Sequence, residues 1–112
     1  MTPLDLIETE PGQYSLLLDA GTTSVDGLVE ELGHEPNGYF WEGVAQLLVR
    51  HEAAALDGRF SSDPEGGMFC AYGTDRAALE ELGARMAAVA NDPDRMRELM
   101  TLAAATGFEF DD

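Results

Sequence analysis

The sequence predicts an α+β fold, an antiparallel sheet of three to five strands with about four helices packed on it, in the order β-α-α-β-β-α-α. Three observations carry that expectation. The runs Tyr14–Asp19 and Met68–Tyr72 are short, rich in apolar and aromatic residues and closed by glycine-bearing turns, as strands are. Longer stretches repeat apolar residues at i, i+3, i+4 and i+7, as amphipathic helices do. The 112 residues, 45% of them hydrophobic and 25% charged, suit one globular domain spanning 1–112 that buries roughly two-thirds of its unfolded surface.

Leu4 to Ile7 reads as a short strand or ordered arm, and Glu10-Pro11-Gly12-Gln13 as a type II turn with Pro and Gly at its central positions. In the next strand Tyr14, Leu16 and Leu18 share one face while Leu17 takes the other, so this strand is expected inside the sheet. A first helix is expected from about Ser24 to Leu32, with Val25, Leu28, Val29 and Leu32 as its apolar stripe. Thr23 and Asp26 form its capping box. Gly33 and Pro36 end it.

Asn37-Gly38 reads as a sharp reversal, because both residues tolerate positive φ. It leads into a second helix from about Tyr39 to Ala54. Phe40, Val44, Leu47 and Leu48 form its inner stripe, widened by Trp41 and Ala45, while Glu42, Gln46 and Arg50 face water. Arg59 to Ser62 then pairs with Gly67 to Tyr72 around an Asp63-Pro64-Glu65-Gly66 loop longer than a two-residue turn. Two helices close the chain. One runs from about Asp75 to Ala90 behind a Thr74 cap, with Leu79, Leu82, Met86 and Val89 inward. The other starts at the Asp92 cap with Pro93 as its first residue, faces Met96, Leu99, Met100 and Ala103 inward, and stops at Gly107. Phe108-Glu109-Phe110 is a final edge strand or a tail.

Charge is the strongest compositional fact. Twenty-two acids stand against six arginines and no lysine, for a net charge of −16, and nine acids precede the first arginine, Arg50. Such a field repels nucleic-acid phosphates and anionic lipid headgroups. It attracts a basic protein and speeds encounter with it. Biased genome composition or salt adaptation yields similar acidic, lysine-free chains, so the charge alone does not name a function. One cysteine, Cys70, excludes an internal disulfide framework. No apolar run approaches the ~20 residues of a membrane span. The N-terminus lacks the basic-then-apolar pattern of a secretory signal, so the expected location is the cytoplasm.

No catalytic pattern stands above background, and no cofactor or metal is expected. His51-Glu52 has no second histidine at helical spacing, and His34-Glu35 reads as a solvated loop. Cys70 reads as a buried, inert thiol. Asp19-Ala20-Gly21-Thr22-Thr23-Ser24 has the strand-to-helix layout of an anion site but lacks the Gly-Lys pair, and reads as a helix cap. Asp57, Asp63 and Glu65 lack the spacing of a calcium loop.

Three runs carry a resemblance: Tyr14-Ser15-Leu16-Leu17-Leu18-Asp19-Ala20-Gly21, Asn37-Gly38-Tyr39-Phe40-Trp41-Glu42-Gly43-Val44-Ala45, and Asp63-Pro64-Glu65-Gly66-Gly67-Met68-Phe69-Cys70-Ala71-Tyr72-Gly73. Together they resemble the immunity protein 51 family of bacterial polymorphic toxin systems, over most of the chain from Tyr14 to the last helix. Ser62 departs from the aromatic expected before Asp-Pro-Glu. The resemblance implies a small cytoplasmic α+β protein, not an enzyme, that binds a cognate toxin domain and neutralises it by occlusion. Were the toxin a nuclease, its phosphate-holding site would be basic and an acidic surface would complement it.

The candidate contacts are Glu30, Glu31, Glu35, Glu42, Asp63 and Glu65, with Tyr39 beside them; Trp41 is assigned to the core. The high charge argues for a monomer when free. Two other readings compete. An acidic adaptor or nucleic-acid mimic would bind a basic regulator in competition with DNA. A metal-dependent hydrolase built on His51 and the Asp63 loop would bind a divalent cation.

Overall fold

The computed structural model describes residues 1–112. Its elements are β1 (Asp5–Glu10), β2 (Gln13–Asp19), α1 (Asp26–Glu31), α2 (Gly38–Glu52), a single 3-10 turn (Ala54–Leu56), β3 (Ser61–Ser62), β4 (Met68–Gly73), α3 (Arg76–Ala90) and α4 (Pro93–Thr106). The four strands form one antiparallel sheet in the order β1-β2-β4-β3, so the α+β expectation holds. Both strands expected inside the sheet are inside it. The arm before the first turn is a six-residue edge strand, and Gly12 between β1 and β2 has φ 79°, as the second central residue of a type II turn requires.

Opposed residues on neighbouring antiparallel strands point to the same side of the sheet. The register therefore sorts the strands into two faces. Leu16 lies opposite Leu6 and Ala71, and Leu18 opposite Phe69; these residues meet the helices. α3 packs across β1, β2 and β4, α2 packs against β4, and α4 lies on α3 and α2. Phe40, Trp41, Val44, Leu47 and Leu48 of α2 are completely buried, as are Leu79, Leu82, Met86 and Val89 of α3 and Met96 and Leu99 of α4. They belong to one cluster of 25 buried apolar residues, and no charged or polar residue is buried. Every inward position expected for α3 is thus inward.

Several local expectations need correction. Helix α1 is shorter than the apolar stripe suggested, and Leu32 is 44% exposed because the helix ends before the stripe completes its second turn. The Thr23 hydroxyl donates to the Asp26 carboxylate (2.6 Å) rather than accepting from a backbone N–H, so only the backward half of the capping box forms, Thr23 N–H to Asp26 at 3.3 Å. The cap of α3 is Asp75, not Thr74; its carboxylate accepts from Ala78 N–H (3.1 Å) and from Arg59 (2.8 Å). Asp92, Pro93 and Gly107 (φ 71°) bound α4 as expected.

The hairpin differs too. Arg59 N–H bonds Leu56 C=O (3.0 Å) in a turn, which leaves only Ser61 and Ser62 as strand. Beyond them Glu65 and Met68 exchange N–H···O bonds of 2.8 and 3.2 Å, so the tip is a two-residue turn, Gly66-Gly67, rather than a longer loop.

Phe108 and Phe110 add no strand. They fold back over α2, where Gly43 leaves room for their rings.

Candidate protein-interaction surface

The start of α2 is joined to the β3–β4 hairpin. Asn37 does not reverse the chain through positive φ: its backbone is extended (φ −98°, ψ −179°), and its side-chain carbonyl accepts from Phe40 N–H at 2.9 Å as an N-cap. Gly38 likewise has no positive φ. A Cβ there would run into the carbonyls of Glu65 and Met68, and Gly38 N–H donates to Gly66 C=O at 3.1 Å. Glycine is needed because two backbones touch.

That junction shapes a wide groove of about 610 Å³ between the β2–α1 turn, the 33–37 loop and the hairpin tip; Gly21, Glu30, His34, Glu35, Gly66 and Gly67 are among its walls. The hydroxyls at its rim are used locally. Thr22 donates to Asp19 C=O (2.6 Å) and Ser24 to Ala90 C=O (3.3 Å).

The seven candidate contacts separate into distinct places. Glu30 and Glu35 line the groove, and Glu31 is exposed beside them on α1. Tyr39 is 40% exposed on the first turn of α2. Asp63 and Glu65 lie on the hairpin; Asp63 N–H bonds Cys70 C=O (2.9 Å) and Glu65 pairs with Met68. Glu42 stands apart, on the helix side of the sheet. It accepts from the Ser62 hydroxyl (2.7 Å) and lines a second groove, about 430 Å³, with Val49, Arg50, Leu56 and Phe60. Arg50 is the one arginine with no carboxylate partner, and its guanidinium lies 5.5 Å from the Phe108 ring centroid.

His34 is not a solvated loop residue. Its Nδ1 lies 3.0 Å from the Asp112 carboxylate, and its ring meets Phe110 edge-on at 4.9 Å, while Phe110 stacks on Phe40 at 4.9 Å. Burial pushes the Asp112 carboxyl up, but Glu35 N–H (2.7 Å) and His34 outweigh it and hold the group below the usual range. The C-terminal segment thereby closes over α2 and orders the groove wall at His34 and Glu35.

Cys70 is half-buried on the sheet face away from the helices, not in the core. Burial raises its thiol pKa; Ser15 opposes this, and the nearby Asp63 and Glu65 carboxylates add to it. That face holds the residues not anticipated as surface: Ile7, Leu17, Met68 and Tyr72. The apolar character of both faces of β2 and β4 was their signal, though it indicates only a position inside the sheet. No group of three or more His, Cys, Asp or Glu side chains is arranged to hold a metal ion. No helix is long and apolar enough to cross a membrane.

Fold and surface together define an α+β protein with carboxylates around both an open groove and an uncovered sheet face. The chain belongs to the immunity protein 51 family, whose model matches residues 4–105. Membership implies a toxin-neutralising role and a cognate toxin as protein partner. The closing segment with Phe108, Phe110 and Asp112 lies beyond the matched residues. No curated protein and no solved structure matches the chain.

Proposed function

We propose that this chain is a cytoplasmic immunity protein that binds its cognate toxin and neutralises it by covering the toxin's working surface, without catalysis of its own. The family match over residues 4–105 is the observation that carries the reading. The net charge of −16 supports a basic toxin, such as a nuclease whose active site must hold phosphates. Glu30, Glu35, Asp63 and Glu65, with Glu31 and Tyr39 at their margin, supply the complementary surface; Glu42 contributes less, because Ser62 engages it on the helix side. The free protein is a single-domain monomer kept apart by its own charge.

Co-expression with the toxin domain encoded beside it rescues growth, and the purified pair elutes as a 1:1 complex whose association rate falls with added salt. Absence of both rescue and complex refutes the reading.

A further inference from the structure

The sheet packs one face on helices and leaves the other bare. By register Ser15 lies between Ile7 and Tyr72, and Leu17 lies between Asp5 and Cys70. Ile7 and Tyr72 are 44% and 45% exposed, and none of Ile7, Leu17, Met68 and Tyr72 belongs to the core cluster or packs against it. An antiparallel sheet with one wet face normally alternates apolar-in and polar-out. Here β4 turns Met68, Cys70 and Tyr72 outward, which solubility alone would not select.

Carboxylates surround this apolar centre. Asp5 and Asp19 project from the same face by register, and Asp63 and Glu65 bound it at the hairpin, close enough to act on the Cys70 thiol. No strand contains a lysine or arginine. An apolar centre within a polar rim is the anatomy of a protein-binding patch.

We propose that the uncovered sheet face is the surface on which the toxin docks, and that the toxin meets it with an apolar centre set in basic residues. The assignment rests on the immunity reading above. Charge complementarity selects the occupant: a second copy of this chain would bring two carboxylate rims together, and like charges facing each other across an interface oppose association. At ~3.3 Å per residue and ~4.8 Å between strands, the 21 strand residues give a footprint of roughly 330 Å². A standard interface takes ~800 Å² from each partner, so the contact continues past the Gly66-Gly67 tip onto the groove at Glu30 and Glu35. The sheet face and the acidic groove become parts of one site.

The test uses the full chain and the purified toxin domain encoded beside it. Tyr72→Arg places a cation among the carboxylates at an exposed position, and its fold is checked by circular dichroism. Glu98→Arg makes a larger charge change, +2 against +1, at an exposed position of α4 on the helical side. By calorimetry Tyr72→Arg weakens binding at least tenfold while Glu98→Arg stays within about threefold. In the wild-type complex Cys70, this chain's only thiol, reacts with N-ethylmaleimide at least tenfold more slowly than in the free protein. Equal effects of the two substitutions, or unchanged Cys70 reactivity in a formed complex, would overturn the docking face and leave the immunity reading standing. Failure of the wild-type chain to bind that toxin would overturn both.

Discussion

Gly38→Ala tests whether the start of α2 depends on backbone contact or on turn conformation. The added methyl has nowhere to go, because its neighbours are the carbonyl oxygens of Glu65 and Met68, which belong to the hydrogen-bonded tip of the hairpin and not to flexible side chains. Relief requires the hairpin to move off the helix. That movement also breaks the Gly38 N–H to Gly66 bond, worth about 1 kcal/mol. Overpacking costs typically ~1–3 kcal/mol, while alanine regains up to ~1 kcal/mol of helix propensity over glycine. The net expectation is a loss of about 2 kcal/mol.

The control is Gly27→Ala in α1, where nothing lies within 4 Å of the added carbon; it should stabilise by up to ~1 kcal/mol. Urea unfolding followed by fluorescence of the single, fully buried Trp41 reads both variants. Asn37→Ser completes the set. Serine caps about as well as asparagine, so stability should stay within about 0.5 kcal/mol, whereas a positive-φ turn would strain it. A Gly38→Ala protein as stable as wild type, or a strongly destabilised Asn37→Ser, would refute the contact-and-cap account.

Trp41→Ala should cost ~3–5 kcal/mol by thermal unfolding followed by circular dichroism, since the ring is completely enclosed. Trp41→Phe should cost less than half of that, because the indole N–H it removes is buried without an acceptor. Asp112→Asn should lower stability by roughly 1 kcal/mol at pH 7, as the charged acceptor for Glu35 N–H and His34 is lost. Because folding holds the Asp112 pKa below its ordinary 3.8, the native state binds fewer protons than the unfolded chain near that pH. The contribution is therefore complete above 3.8, and falls away as pH drops through the lowered value. Paired urea titrations from pH 7 to pH 2 should show the two proteins converging; a constant difference would count against the clasp. Tyr39→Ala should leave stability within about 0.5 kcal/mol, the range for a surface substitution, while lowering affinity for the toxin in a calorimetric titration.

Features that depend on neighbours a few positions apart are legible along the chain. Apolar spacing gave the inward faces of α2, α3 and α4, and short side chains and proline geometry marked the Asp92-Pro93 start and the Gly107 stop. Strand composition identified β2 and β4 as internal. The charge excess and the three family-like runs pointed to a protein partner.

What each face meets depends on packing between distant segments. Periodicity separates one side of a strand from the other but does not say which side lacks a cover, so Leu17, Met68 and Tyr72 were legible as apolar and not as surface. His34 finds Asp112 across 78 residues, a contact that depends on where the chain end folds back and leaves no local pattern. Gly38 is the clearest case: asparagine–glycine is a turn signal when read along the chain, yet the glycine is required by a backbone that approaches from a hairpin some thirty residues later. Local torsional preference and long-range steric exclusion select the same residue for different reasons, and only the packed structure separates them.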